Sequence, residues 1–353
     1  MNKYLFVLTI ALLGARYWFA LPEYKVGERV LVRGRVSTEP VGYEYSQRIN
    51  VAGMQAYVDI YPRIYYGDMV VMEGVIEGRG KLKEGVVIDH QRARGFVYKL
   101  RQNIVAFYKR NLPSRHGALV AGMVLGSREG ISRDFWDNLV ESGVVHVVVA
   151  SGTNVVLVGG FLINLLVALM KRQKAVMVAI IGIWFYVFLS GFDAPLVRAA
   201  IMGSIAFSAQ ALGRMSSGMR ALVISVIAML LLKPLWIHDL GFVMSFAATA
   251  SLMLFETKVS TLIRKAPQLI RKDLSTTLAA QVGVLPILVF VFGRYSLWSP
   301  IANTLVLWSV VPIMIIGGVA GVVGVLAPPI GGLLLLLVYP LTSWFIIVVN
   351  MFS

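Results

Sequence analysis

The rhythm of apolar and polar positions changes three times along the chain. Residues 4–20 form an apolar run with Lys3 before it and Arg16, Tyr17, Trp18 and Phe19 near its end. Such a run is read either as a cleaved signal peptide or as a retained anchor. No small-x-small cleavage site follows, and the terminal aromatics suit a membrane interface, so 1–21 is assigned as an anchor. From Lys25 the period is two: Val30, Val32 and Val36 point one way and Leu31, Arg33 and Arg35 the other, with a bulge or bend expected at Gly34. Further strands are predicted from Gln55 to Tyr61 and from Val70 to Ile76, the latter after the turn Tyr66-Gly67-Asp68. Short strands at this spacing predict a small closed or partly open β-barrel of OB type over 22–96. Over 97–112 the period becomes helical. Val97, Leu100, Ile104, Tyr108 and Leu112 share one stripe with the basic residues largely off it, as in a helix lying on a membrane surface.

Beyond residue 150 the apolar runs lengthen. Candidate spans lie at 153–170, 175–192, 195–212, 220–237, 240–256, 275–293, 299–323 and 329–351. Several are near the lower length limit and contain Gly or Pro, which fits tilted, broken or re-entrant segments. The fold class is therefore a polytopic α-helical membrane protein with a small external OB-like β-barrel near the N-terminus. Its segments are an anchor at 1–21, the barrel at 22–96, an amphipathic helix and connecting segment at 97–150, and a multi-span domain at 151–353. Composition agrees: 58% of residues are hydrophobic, 14% are charged, and mean hydropathy is +0.75.

The net charge of +15 is unevenly spread. Residues 22–98 carry eleven Lys/Arg against ten Asp/Glu, whereas 99–115 add Lys99, Arg101, Lys109, Arg110 and Arg115 with no acid. Basic loops at Lys171, Arg172 and Lys174, at Arg214 and Arg220, and at Lys258, Arg264, Lys265, Arg271 and Lys272 mark the cytoplasmic side. The opposite loops offer Arg198, Lys233 and Arg294. The barrel and the start of the multi-span domain then face outward, with the chain in an inner, cytoplasmic membrane. Basicity of this kind is met by anionic lipid and does not by itself establish a nucleic-acid partner.

Chemistry narrows the choice. With no cysteine, disulfides and thiol catalysis are excluded, and the four histidines lack metal-binding spacing, so neither a metal nor another cofactor is expected. His146 and the Ser151-Gly152-Thr153-Asn154 knot stand where a soluble segment meets a span. Asn154, Asn164, Arg198, Gln210, Gln281 and Asn303 are polar groups within spans that need a partner or water. An arginine near mid-bilayer costs roughly 2.5–3.5 kcal/mol on insertion scales, so Arg198 faces protein or an aqueous path, with Asp193 as a candidate ion-pair partner across Pro195. In the barrel, Tyr43, Tyr45, Tyr57, Tyr61, Tyr65 and Tyr66 are candidate stacking platforms. Arg33, Arg35, Arg48 and Arg63, continued by Lys99 and Arg101, are candidate phosphate contacts. The near-neutral charge of the module equally fits a spacer.

Several of these residues fall in a familiar order. His146 to Asn154 resembles the His-x-x-x-x-Ser-Gly-x-[His/Asn] segment of ComEC-type competence proteins, and Gly122 to Gly126 with Gly143 is similar to that family's approach to it. Gly191 to Pro195 with Arg198, Pro234 to Phe246, Ala279-Ala280-Gln281 with Pro286, and Ser299 to Asn303 resemble four further family elements. Two positions depart from the pattern, since many relatives have a second histidine at Asn154 and a glutamine at Val243. Larger relatives also continue into a metallo-β-lactamase-like domain, so this chain is expected to be a short form.

The resemblance implies transport of single-stranded DNA across the membrane during DNA uptake, with no catalytic residues in this chain. His146, Ser151, Gly152, Thr153, Asn154, Asp193, Arg198, Gln281 and Asn303 would line the path. The lipid bilayer, a DNA-receptor protein, a separate nuclease and a cytoplasmic ATP-driven motor would be partners, and a homo-oligomer stays open. No GxxxxGK[ST] phosphate loop is present. Two other classes compete. One is a transporter of a small solute or lipid. The other is a membrane serine hydrolase using His146 and Ser151, for which the Gly-x-Ser-x-Gly elbow and an orienting acid are lacking.

Overall fold

A computed structural model describes residues 3–20, 25–78, 80–149, 151–264, 268–292, 296 and 298–353. Lys265 and Arg294, which contribute to the loop charge above, lie outside these residues, as do the ends of the anchor segment.

Helix α1 (Lys3–Trp18) packs against the later helix α9 (Gly218–Leu232) and the 3-10 turn Pro234–His238, where the Tyr17 hydroxyl and His238 Nε2 are 2.9 Å apart. Six strands follow: β1 (Arg29–Arg35), β2 (Val41–Gly42), β3 (Ser46–Val51), β4 (Met54–Asp59), β5 (Met69–Gly78) and β6 (Lys81–Gln91). Alternate side chains of β3, β4 and β5 are buried, as a half-buried sheet requires, and Val32, Ile49, Val51, Val58, Val70 and Met72 form its core. The sheet is open, with order β1-β5-β6-β4-β3-β2. A closed barrel is not formed. One bridge, Val36 to Val51, is the approach of the β1 end to β3.

Gly34 is not a bulge, because β1 and β5 pair in unbroken register from Arg29↔Val75 to Arg35↔Met69. It is instead a close approach, where a Cβ would meet Val51 Cγ1 at 3.1 Å. The irregularities lie between β5 and β6. The expected turn at Tyr66-Gly67-Asp68 is present, and its buried Asp68 carboxylate accepts from the Tyr65 and Ala93 amides and sits 2.8 Å from His90 Nε2. Those contacts fasten the end of the sheet to the linker that leads into the helices.

Helix α2 (Phe96–Asn111) carries the expected apolar stripe, yet it does not lie free on a surface. Ile104, Phe107 and Tyr108 are buried against α3 (Ser114–Leu125) and α12 (Ser299–Leu326). Gly321 and Gly324 of α12 make room for it: a Cβ at the first would overlap the Tyr108 hydroxyl, and at the second the Phe107 ring. The Tyr108 hydroxyl donates to the Gly317 carbonyl at 2.7 Å. Small residues let helix backbones approach in this way.

Every residue of α3 from Gly117 to Leu125 is buried. After α4 (Arg133–Glu141) and the single turn α5 (Val145–Val148) come α6 (Gly152–Val167), α7 (Arg172–Leu189), α8 (Ala194–Ala211), α9, α10 (Leu240–Leu262), α11 (Gln268–Ile287, continued by a π-helical turn Leu288–Phe292), α12 and α13 (Pro328–Met351). Each of the eight expected spans overlaps one of the helices α6 to α13. Among the described residues, six helical stretches are long and apolar enough to cross a membrane: 145–167, 172–189, 240–262, 274–291, 299–326 and 328–351. Helix α9 is apolar but has only 15 residues, and Arg198 lowers the apolar character of α8.

Candidate functional site

Three backbone carbonyls at the end of α3 have no partner within the helix, as at any helix C-terminus. Each receives a side chain from a different helix. Asn154 Nδ2 of α6 donates to Met123 O at 2.8 Å, the Tyr186 hydroxyl of α7 to Val124 O at 2.9 Å, and Arg101 Nη1 of α2 to Leu125 O at 2.7 Å.

Two expectations change here. Asn154 is 1% exposed, and its Oδ1 accepts from Ser151 Oγ at 3.0 Å, so its amide holds the knot to α3 and is not free to meet a passing strand. Arg101 is not on a basic surface. It is 5% exposed, donates also to Leu189 O, and pairs with Glu39 at 2.8 Å. Glu39 also accepts from Ser127 Oγ, so this buried pair joins the sheet to the helices. A guanidinium with five donors is suited to such a junction, and burial is tolerated because the charge is paired and its donors are used.

Arg198, on α8, has a third surprise. It makes no ion pair with Asp193. Its Nε donates to Ser245 Oγ of α10 at 2.7 Å and its Nη1 reaches Met202 Sδ at 3.5 Å. Its guanidinium lies beside the knot, since a Cβ at Gly152 would stand 2.8 Å from Nη2. On α12, Ser299 Oγ accepts from Gln281 Nε2 at 3.2 Å and Asn303 Nδ2 at 3.1 Å, and donates to Gly143 O at 3.3 Å. Gln281 and Asn303 are thus brought together, through a serine not singled out from the sequence.

These groups border one open cavity of about 3270 Å³, running between the sheet and the helices. His146, Ser151, Gly152, Thr153, Asn154, Asp193, Arg198, Gln281 and Asn303 all contribute to its lining. Of the candidate surface cations, Arg35 and Arg48 line it; Arg33, Arg63 and Lys99 are exposed elsewhere, as is Tyr57. Tyr43, Tyr45 and Tyr61 are exposed as stacking platforms need, but Tyr66 is buried. Lys81, Arg128 and Lys233 complete the cationic lining and carried no motif signal.

Asp193 lies between α7 and α8, half-buried at the cavity wall. Burial pushes its carboxyl up to about 6, against the pull of Arg128 and Arg101. Burial likewise pushes the Arg128 guanidinium down from its usual range, and Asp193 opposes that shift. Ser151 donates its proton to Asn154, and His146 is exposed to the cavity. Within the described residues, no group of three or more His, Asp or Glu side chains is placed to hold a metal ion.

Six helical stretches long and apolar enough to cross a membrane, beside a β-sheet and a polar-lined cavity, define a multi-pass membrane protein. Within that class the chain belongs to the Competence protein family, whose profile matches residues 123–353. It is similar to ComE operon protein 3 of Bacillus subtilis (strain 168), with 28% identity over 227 residues, which is 64% of this chain and 29% of that protein. The chain therefore covers under a third of that relative's length. No solved structure matches it. The knot, Arg198, Gln281 and Asn303 all fall inside the matched region, and the sheet falls outside it.

Proposed function

We propose that the chain forms the path by which one strand of DNA crosses the cytoplasmic membrane inward during DNA uptake. The observation that carries this reading is the convergence on one cavity of the knot, Arg198, Gln281 and Asn303, which come from four helices and from separate family elements. A phosphate chain cannot cross hydrocarbon, so it needs a hydrated route between helices. Neutral hydroxyls such as Thr153, with a few cations, suit a cargo that must keep moving.

In this reading the basic loops face the cytoplasm, and the sheet and knot face outward. The sheet acts as an OB-like platform, with Tyr43, Tyr45, Tyr57 and Tyr61 stacking bases while Arg33, Arg63 and Lys99 meet phosphate. On the same reading a DNA receptor and an ATP-driven motor are its partners, and the residues of this chain serve conduction of the strand.

The test is entry of labelled single-stranded DNA into proteoliposomes, supplied with a membrane potential and the motor. Protein-dependent entry that falls at least tenfold in Arg198→Ala is expected. Entry equal to that of empty liposomes overturns the reading, and labelling of Ser151 by serine-hydrolase probes would replace it with the hydrolase.

A further inference from the structure

The ion-paired cations and the cations that line the cavity are different residues. Arg29, His90, Arg101, Lys109 and Arg133 each stand within 4.0 Å of a carboxylate. None of the five lines the cavity except through Glu39, the partner of Arg101. Six cations do line it, Arg35, Arg48, Lys81, Arg128, Lys233 and Arg198, and none of them has an ion pair among the described residues.

Four of the six, Arg35, Arg128, Lys233 and Arg198, rest over an aromatic ring. Arg35 Cζ is 5.8 Å from the Tyr98 centroid, Arg128 Cζ 5.2 Å from Trp136, and Arg198 Cζ 5.9 Å from Phe246. Lys233 Nζ lies 5.1 Å from Trp236 and 5.6 Å from Phe192. They are distributed from the sheet, through two connecting segments, into helix α8.

We propose that Arg35, Arg128, Lys233 and Arg198 are a series of aromatic-backed contacts for the phosphate backbone of a single-stranded nucleic acid. This rests on the DNA-path reading and assigns its phosphate contacts. A ring face attracts a cation but neutralises none of its charge and occupies few of its hydrogen-bond donors. The cation is therefore held in place and still able to bind phosphate, whereas a carboxylate in the same position would compete with the cargo. Four carboxylates line the cavity, and two are already engaged: Glu39 by Arg101 and Ser127, and Asp239 by the Phe242 amide. Asp193 biases Arg128 and Lys233 electrostatically but is within ion-pair distance of neither. Contacts to phosphate carry no base preference, which suits a route that must accept any sequence.

The experiment measures binding of labelled 20-mers to the full chain in phosphatidylcholine nanodiscs, as a function of salt. Each of Arg35→Gln, Arg128→Gln, Lys233→Gln and Arg198→Gln should reduce the slope of log K against log salt by about 0.7. Arg128→Lys should retain the slope, and so should the ion-paired surface variants Arg29→Gln and Arg133→Gln. Trp136→Leu should weaken binding about two- to fivefold at unchanged slope. A strand with a neutral methylphosphonate backbone should lose the salt dependence.

An unchanged slope in all four Gln variants overturns the proposal, and so does equal binding of the neutral strand. Competition by phosphatidylglycerol that abolishes strand binding would assign the four cations to lipid headgroups and overturn it as well. If the slopes behave as expected while wild-type protein admits no DNA, the contacts stand and the transport reading falls. If DNA enters with no effect of the four substitutions on slope, the path stands and these contacts fall.

Discussion

The guanidinium of Arg198 and the backbone of Gly152 lie so close that a Cβ on the glycine would come within 2.8 Å of Nη2. The small residue of the knot is thus the seat of the arginine from α8, and Ser245 holds that arginine from the other side. Gly152→Leu should displace the guanidinium and reduce DNA entry about as much as Arg198→Gln. In the double variant the losses should not add, because both act on one contact. Additive losses in the proteoliposome assay would separate the two residues.

Asn154 is tied to Met123 O and Ser151, so Asn154→Leu leaves a buried carbonyl without its donor. A loss of ~1–3 kcal/mol in stability is expected, read from denaturant unfolding in detergent. Thr153→Ala, at an exposed neighbour, should leave stability unchanged. Equal stability of both variants would return Asn154 to the role of a path-lining side chain.

Arg101→Met should be more damaging, because it strands the Glu39 carboxylate as well as the carbonyls of Leu125 and Leu189. Breaking a buried pair costs ~3–5 kcal/mol. Lys99→Met, two residues away and exposed, provides the contrast. Proteolysis should release the sheet from the helices in the first variant and not in the second.

Gly324→Leu places a side chain where Phe107 packs. Overpacking of ~1–3 kcal/mol is expected, with α2 driven from the α12 surface. Cross-linking between cysteines introduced at exposed positions of α2 and α13 would report its departure.

Asp193 gives the cavity a pH dependence. Its carboxyl is raised from the ordinary 3.8 to about 6, so the stability it contributes is present below pH 4 and is lost as pH rises through 6. Protonation between pH 7 and pH 5 also removes one negative charge beside Arg128 and Lys233. Strand binding should therefore strengthen about fivefold over that interval, a screened interaction of ~1 kcal/mol. The change should vanish in Asp193→Asn, and a persisting rise would place the titrating group elsewhere.

The helices α6 to α13 were legible because apolar runs of span length are a local property of the chain. The sheet was only half legible. Charged residues interrupt the alternation of β6, where Lys81, Lys83, Glu84, Asp89 and His90 accompany few apolar neighbours, and nothing local shows whether ladder ends meet. The apolar stripe of α2 was read correctly, but its docking depends on glycines of α12 some 200 positions away. Arg101 reads as a solvated cation until the fold brings Glu39, 62 residues earlier, against it. Asn154 likewise reads as an available amide until Met123 O, 31 residues earlier, takes its donor. The polar members of the cavity were legible because a polar group within an apolar run is conspicuous. Their partners Ser245 and Ser299 were quoted only as parts of longer motifs. Arg128 and Lys233 carried no such contrast.

The end of α3 has a mechanical meaning. Three helices key side chains into three successive carbonyls there, and the helix exposes no residue from Gly117 to Leu125. Turning any one of α2, α6 or α7 about that point would break a buried bond, so this corner is the stationary frame of the molecule. The opposite wall is held more lightly: 17% of the α10 span and 11% of the α11 span are buried, against 44% for α12. Its described ties across the cavity include the side-chain hydrogen bonds of Arg198 to Ser245 and of Gln281 to Ser299. On the proposed path, a cargo wider than the resting gap would displace the α10–α11 pair, and the frame around α3 would keep the knot in register.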